Sequence, residues 1–164
     1  MTTIVATKDG IWADSMETDE DSISSKTSKK IYRVNGWIVA TAGKSICTPL
    51  YIKWAESGFK AAPPTELSED PEEFTAVFLS EKTGELWYCE GAVRMRVKPP
   101  VVIGSGATYA LAALKTMKKL GVFSDPAIAV KIACELDTKS GGRLQKVLRK
   151  KVPAPPRTDA GAEA

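Results

Sequence analysis

Histidine is missing from all 164 residues of this chain. That excludes every mechanism in which imidazole serves as base or metal ligand. A hydrolytic chemistry here must take its base from lysine, a carboxylate or an α-amine. Cysteine is scarce: Cys47, Cys89 and Cys134 form an odd set with no CxxC spacing. This argues against a disulfide framework and a zinc site, and for reduced, buried thiols. Net charge is only +3, too little to point to nucleic acid. The basic cluster from Lys146 to Lys151 reads as a solvated face or the positive rim of an assembly. No apolar run is long enough to span a bilayer, and the first residues lack a signal-peptide pattern. The expectation is a cytoplasmic protein with no membrane partner. One nucleotide-binding motif is nearly present. Ala42-Gly43-Lys44-Ser45 matches the end of a P-loop, but the pattern requires glycine where Ile38 stands. No cofactor and no metal are expected.

What is present suits a soluble globular protein: 43% of residues are hydrophobic, enough for a real core. One domain is expected over 1–152. From Pro153 on, Pro, Ala, Gly and charge dominate, so 153–164 is expected to be a disordered tail.

Thr2 to Thr7 has the Thr, Ile and Val content of a strand, and Lys8-Asp9-Gly10 turns it back into Ile11 to Asp14. Ser15 to Ser28 is polar and reads as a loop with a short strand near Ile23. Lys30 to Val34 and Trp37 to Ala42 flank Asn35-Gly36, the strongest hairpin signal in the chain. Ser45 to Glu56 is a predicted helix with Pro49 in its first turn and Gly58 as its stop. Lys60 to Glu73 is a loop, with a short helical turn at Pro71-Glu72-Glu73. Phe74 to Ser80 and Leu86 to Cys89 form another hairpin, which Arg94 to Val97 extends. Val101 to Ile103 is a short buried strand. Helices follow from about Ala107 to Leu120 and, capped by Ser124, to about Leu136. Asp137 to Gly142 is a tight loop before a final edge strand from Leu144 to Lys150. This order fits two antiparallel sheets with helices outside, not a βαβ alternation.

Thr2 brings the chemistry. Once Met1 is trimmed, it carries a hydroxyl and a free α-amine on one residue, and the two can serve as nucleophile and base. The spaced motifs around it resemble those of the proteasome β-subunit and HslV family of threonine peptidases, among the N-terminal nucleophile hydrolases. Thr2-Thr3-Ile4-Val5 resembles that family's start. Asp14 resembles its acidic residue at the end of the second strand, and Lys30 its essential lysine. Thr41-Ala42-Gly43 is similar to the segment that supplies the oxyanion-hole amide. Gly104-Ser105-Gly106 with Tyr109-Ala110 resembles GSG-x-x-YA, and Asp137 to Gly142 resembles D-x-x-S-G-G. The likeness runs over most of residues 2 to 150.

The resemblance implies a four-layer αββα sandwich of class α+β, two antiparallel sheets flanked by helices. It implies a peptide or unfolded-protein substrate and a homo-oligomer of stacked hexameric or heptameric rings. A ring ATPase unfoldase is the implied partner. It implies maturation by methionine removal alone. Glu17, Tyr32, Thr41 and Ser45 match positions that shape the first specificity pocket, here modest and partly polar. The stretch before Phe74 is shorter than the family's usual second helix requires.

Each residue then has a chemical reason. Thr2 Oγ would attack the scissile carbonyl. Its α-amine, with a reference pKa of about 8, is roughly one-tenth neutral at pH 7 and can take the proton. Lys30 beside it would favour the neutral amine and the deprotonated hydroxyl. Asp14 would hold Lys30. The Gly43 N–H would face the developing oxyanion. Ser105, Asp137 and Ser140 would hydrogen-bond the terminal amine. Each also has a plain structural reading: an exposed lysine, a strand-ending aspartate, a turn glycine, a helix cap, loop-formers. Their joint order and the Thr2 start favour the site. Two other readings keep the fold: a structural ring subunit without activity, and a hydrolase of small amides.

Overall fold

The computed structural model describes residues 2–19, 22–61, 63–64, 74–91, 93–122 and 125–150. In chain order its elements are β1 (Ile4–Thr7), β2 (Gly10–Ala13), β3 (Glu17–Asp19), β4 (Ser22–Ser25), β5 (Ile31–Val34), β6 (Trp37–Gly43), a 3₁₀ turn (Ser45–Cys47), α1 (Thr48–Glu56), β7 (Phe74–Ser80), β8 (Leu86–Glu90), β9 (Val93–Val97), β10 (Val101–Ile103), α2 (Ala107–Lys119), α3 (Ala127–Leu136) and β11 (Gln145–Leu148).

These strands make two main antiparallel sheets. One has four strands in the order β10-β1-β2-β11, the other five in the order β5-β6-β7-β8-β9. Side-chain alternation explains the stacking. Ile4 and Ala6 of β1, and Ile11 and Ala13 of β2, meet Ile38, Ala40 and Ala42 of β6 and Val77 and Leu79 of β7 in a core between the sheets. The intervening Val5 and Trp12 face the other way, onto Ala110, Leu114, Val130 and Ala133 of α2 and α3. Across the molecule, Val39, Ala76 and Phe78 pack outward against Tyr51, Trp54 and Ala55 of α1. The layers therefore run helices, sheet, sheet, helix: the αββα sandwich the sequence leads one to expect. Central strands are apolar on both faces because both faces are covered.

The local signals hold in detail. Asn35 and Gly36 both have positive φ, 45° and 77°, as a two-residue hairpin turn requires. The polar stretch after Asp14 differs from expectation. It contains a paired hairpin, β3 and β4, instead of one short strand. Its residues are mostly exposed, so it shows no apolar alternation to reveal it. The first helix also starts later than Ser45, after the 3₁₀ turn, with Pro49 in the first turn of α1. At the start of α3 it is Asp125 whose carboxylate accepts an N–H, that of Ala127 at 2.9 Å. Ser124, the cap expected from sequence, lies outside the described residues, as do the helical turn at 71–73, Met1 and the tail 153–164.

Candidate active site

Asp14 follows directly on β2 and is 1% exposed. A bare carboxylate could not be buried so deeply without partners. Its Oδ1 accepts the Thr3 N–H at 2.9 Å and the Lys30 ammonium at 2.9 Å. Its Oδ2 accepts the Met16 N–H at 3.1 Å and the Gly141 N–H at 2.9 Å. The carboxylate thus ties the chain start, the end of β2 and the loop after α3 to one lysine.

Lys30 sits immediately before β5 and is 6% exposed. Besides Asp14, its ammonium donates to the Met16 carbonyl. Burial pulls its pKa below the ordinary lysine value, and the Asp14 charge works in the opposite direction. Such a lysine gives up its proton more readily than a surface one.

Thr2 and Thr3 are both buried. Glycine makes room for them. A Cβ on Gly104 (φ +95°) would stand 1.9 Å from the Thr2 carbonyl oxygen, and one on Gly106 would stand 1.9 Å from Thr3 Oγ1. Between these glycines, Ser105 Oγ donates to Asp137 Oδ2 at 2.6 Å and lies 3.5 Å from the Thr2 carbonyl oxygen. Ser140 Oγ also donates to Asp137 Oδ2 at 2.6 Å, which leaves it to accept the Thr3 hydroxyl at 2.7 Å. Burial raises the Asp137 pKa, but the Ser105 and Ser140 hydroxyls and the Lys139 N–H outweigh it and hold the carboxyl below its usual range. The three loop residues therefore form one network under Thr2 and Thr3. It meets the Thr3 side chain and lies against the Thr2 carbonyl.

A cavity of about 560 Å³ opens beside this cluster. Thr2, Lys30, Gly43, Glu17, Tyr32, Thr41 and Ser45 line it. Asp14, Ser105, Asp137 and Ser140 are not part of its lining, and Asp14 is joined to it through Lys30. Gly43 ends β6 at φ +110°, a backbone that a side chain would strain. Glu17 accepts the Ser28 hydroxyl at 2.7 Å. That bond first, then one from Ser45, holds its carboxyl below the ordinary range. Tyr32 donates to the Lys29 carbonyl at 2.8 Å, with the Lys29 ammonium 4.8 Å from its ring centre.

Sequence reasoning missed part of the lining: Ser28, Lys29, Thr48, Pro49, Ile52, Lys53 and Glu56. Helical spacing held a signal. Thr48, Ile52 and Glu56 recur every four residues, on the side away from the buried Tyr51 and Trp54. Thr48 further bonds Thr41, Oγ1 to Oγ1, at 2.9 Å. Thr3 was missed as well, hidden inside the run expected to be plain strand. Among the described residues no three Cys, Asp or Glu side chains converge to hold a metal ion, and no helix is long and apolar enough to cross a membrane.

Two antiparallel sheets stacked between helices make this an αββα sandwich, similar in fold to HslV. Solved structures agree. BPH of Thiobacillus denitrificans superposes with a TM-score of 0.70 at 18% identity, over 93% of this chain and 99% of that one. The same protein in complex with epoxomicin gives 0.68 at 16% identity, over the same shares. Eukaryotic HslV from Trypanosoma brucei gives 0.66 at 20% identity, over 89% of this chain and 98% of its own. No family model matches the chain, and no curated protein sequence does. The likeness at these identities is one of fold.

Proposed function

We propose that this chain is a threonine endopeptidase that cleaves peptide bonds with Thr2, once Met1 has been removed. The observation that carries this reading is the buried Lys30–Asp14 pair at 2.9 Å, joined to a cavity that Thr2 itself lines. A buried ion pair stabilises a fold poorly, because desolvation offsets most of the attraction. Lys30 lining the same cavity as Thr2 supports a chemical use for the pair.

In this reading Thr2 Oγ attacks the scissile carbonyl and the Thr2 α-amine takes its proton. The Lys30 charge lowers the energy of the developing alkoxide and keeps the amine neutral. Asp14 fixes Lys30, and the Gly43 N–H stabilises the oxyanion, a donor of a kind worth about 100- to 1000-fold in rate. Ser105, Asp137 and Ser140 orient the terminal amine from the network they form beside Thr2 and Thr3. The amine then protonates the leaving nitrogen, and water resolves the acyl-enzyme. Glu17, Tyr32, Thr41 and Ser45 shape the pocket for the side chain before the cut. BPH was solved with epoxomicin, which supports a comparable ligand here.

A homo-oligomeric double ring in the cytoplasm, with Thr2 facing an inner chamber and a ring ATPase feeding it, completes the proposal. Supporting it are large apolar side chains exposed on and after α2 and on α3: Tyr109, Leu111, Leu120, Val122, Ile128 and Leu136. Such surface is suited to burial between subunits. Confirming Met1 loss by intact mass and measuring fluorogenic peptide hydrolysis, with Thr2→Ala as control, tests the activity. Hydrolysis by the trimmed protein and none by Thr2→Ala is expected. Equal inertness would favour the inactive ring subunit.

A further inference from the structure

Gln145 begins β11, the edge strand of the smaller main sheet. It stands opposite Ala13, one residue short of Asp14. Its side chain reaches the backbone on both sides of the ion pair. Nε2 donates to the Asp14 carbonyl at 3.0 Å and to the Ser28 carbonyl at 2.7 Å, while Oε1 accepts the Lys30 N–H at 3.1 Å. Both amide hydrogens and the amide oxygen are therefore in use. No side chain of another type reproduces this set at that length. Glutamate can accept from Lys30 but cannot donate to the two carbonyls, and methionine can do neither.

We propose that Gln145 is a positioning residue for Lys30. By binding Lys30 and Asp14 through their backbones at once, it fixes the distance between the two chain segments that bring ammonium and carboxylate together. The Lys30 side chain leaves from a backbone clamped at its own N–H and at Ser28. Its ammonium consequently meets Asp14 at a set place on the cavity wall. Among the described residues, Asp14, Glu17 and Cys134 are the titratable groups that act electrostatically on this ammonium. Any rate effect rests on the peptidase reading above; the effect on Lys30 itself does not.

The test has a structural arm and a kinetic arm. In wild-type protein, hydrogen exchange at the Lys30 N–H should be slow, and fast exchange there would overturn the proposal without any variant. Gln145→Met and Gln145→Glu are then prepared, with folding checked by thermal melting. Protein carrying ¹³Cε-lysine reports the Lys30 titration by NMR, assigned with Lys30→Arg. Released from the clamp, Lys30 gains water, and its titration should move upward by about half a unit or more. Peptide hydrolysis should lose about 10- to 100-fold in kcat, as for a misplaced reacting group, with KM within about twofold. Folded variants with an unmoved Lys30 titration would overturn the proposal. A wild type that neither cleaves peptide nor takes an epoxyketone label, while the Lys30 titration still moves, would sink the peptidase reading and leave the positioning role standing. Should both variants unfold, the wild-type exchange result decides.

Discussion

The outer face of the five-stranded sheet and the open end of the four-stranded sheet are built from different materials. Against α1 the packing is aromatic. Trp54, Phe59 and Phe78 meet edge to face at 5.0 to 6.0 Å, and Tyr51 leans on Phe74 at 4.6 Å. The Arg94 guanidinium covers Phe59 and Trp87 at 4.3 and 4.7 Å. At the end of β1 and β2 the buried groups are polar: Thr2, Thr3, Asp14, Ser15, Lys30 and Ser140. Rings stabilise by area and shape, with about 0.5–1.5 kcal/mol per pair beyond area burial. Polar groups in a core must instead be matched one by one, and their cost is justified by chemistry or specificity rather than by stability. Under the proposed function, the contrast separates a half of the molecule that holds the fold from a half that uses it.

Substitutions in the two halves should therefore fail in different ways. The largest effect is expected at Lys30. Lys30→Ala should lower peptide hydrolysis by at least about 1000-fold, as loss of a member of a cooperating set does, while circular dichroism stays native. Retained activity in folded protein would break the distinction. Asp14→Ala should fail on both counts. It leaves the Lys30 charge buried and unpaired, a loss of about 3–5 kcal/mol, measurable by denaturant unfolding together with lost activity. A stability change confined to a few tenths would contradict the pairing. Phe78→Ala should lose a similar about 3–5 kcal/mol through its cavity. Activity per folded molecule should survive at low temperature, where a fall beyond about tenfold would show the halves to be coupled.

The smallest effects are those of pH. Burial puts the folded pKa of Lys30 below its unfolded value near 10.5. Between those values the unfolded chain holds a proton that the folded one has released, so stability rises with pH across that window. Lys30→Met should flatten the slope. Asp137 contributes the opposite edge. Its folded pKa is held below 3.8, so its stabilisation is full above that pH and is lost as pH falls through the folded value. Asp137→Asn should weaken the acid dependence, as followed by thermal melting.

Much of this division can be read from the chain, because its signals are local. Asn35-Gly36 dictates a hairpin, and the unbroken apolar run Ile38-Val39-Ala40 requires cover on both faces. Thr2, Asp14, Lys30 and Gly43 can be picked out by type and order. What escaped notice depends on distance. Gln145 looks like one polar residue on an edge strand; its value lies in reaching Asp14, Ser28 and Lys30, more than a hundred residues away. Thr3 hides in a strand-like run, although its hydroxyl meets Ser140 from the far end of the chain. The β3–β4 hairpin escaped for the reverse reason: it buries little, so it leaves no period of two in apolar residues. Contacts fixed by topology carry no local pattern.

Mass mapping of protein treated with an epoxyketone peptide tests the central claim most directly. In material shown to lack Met1, the expected result is one adduct, on the peptide beginning with Thr2, absent from Thr2→Ala and slowed in Lys30→Ala. An unmodified Thr2 peptide under conditions that label an active threonine peptidase control, or an adduct on another residue, would contradict it.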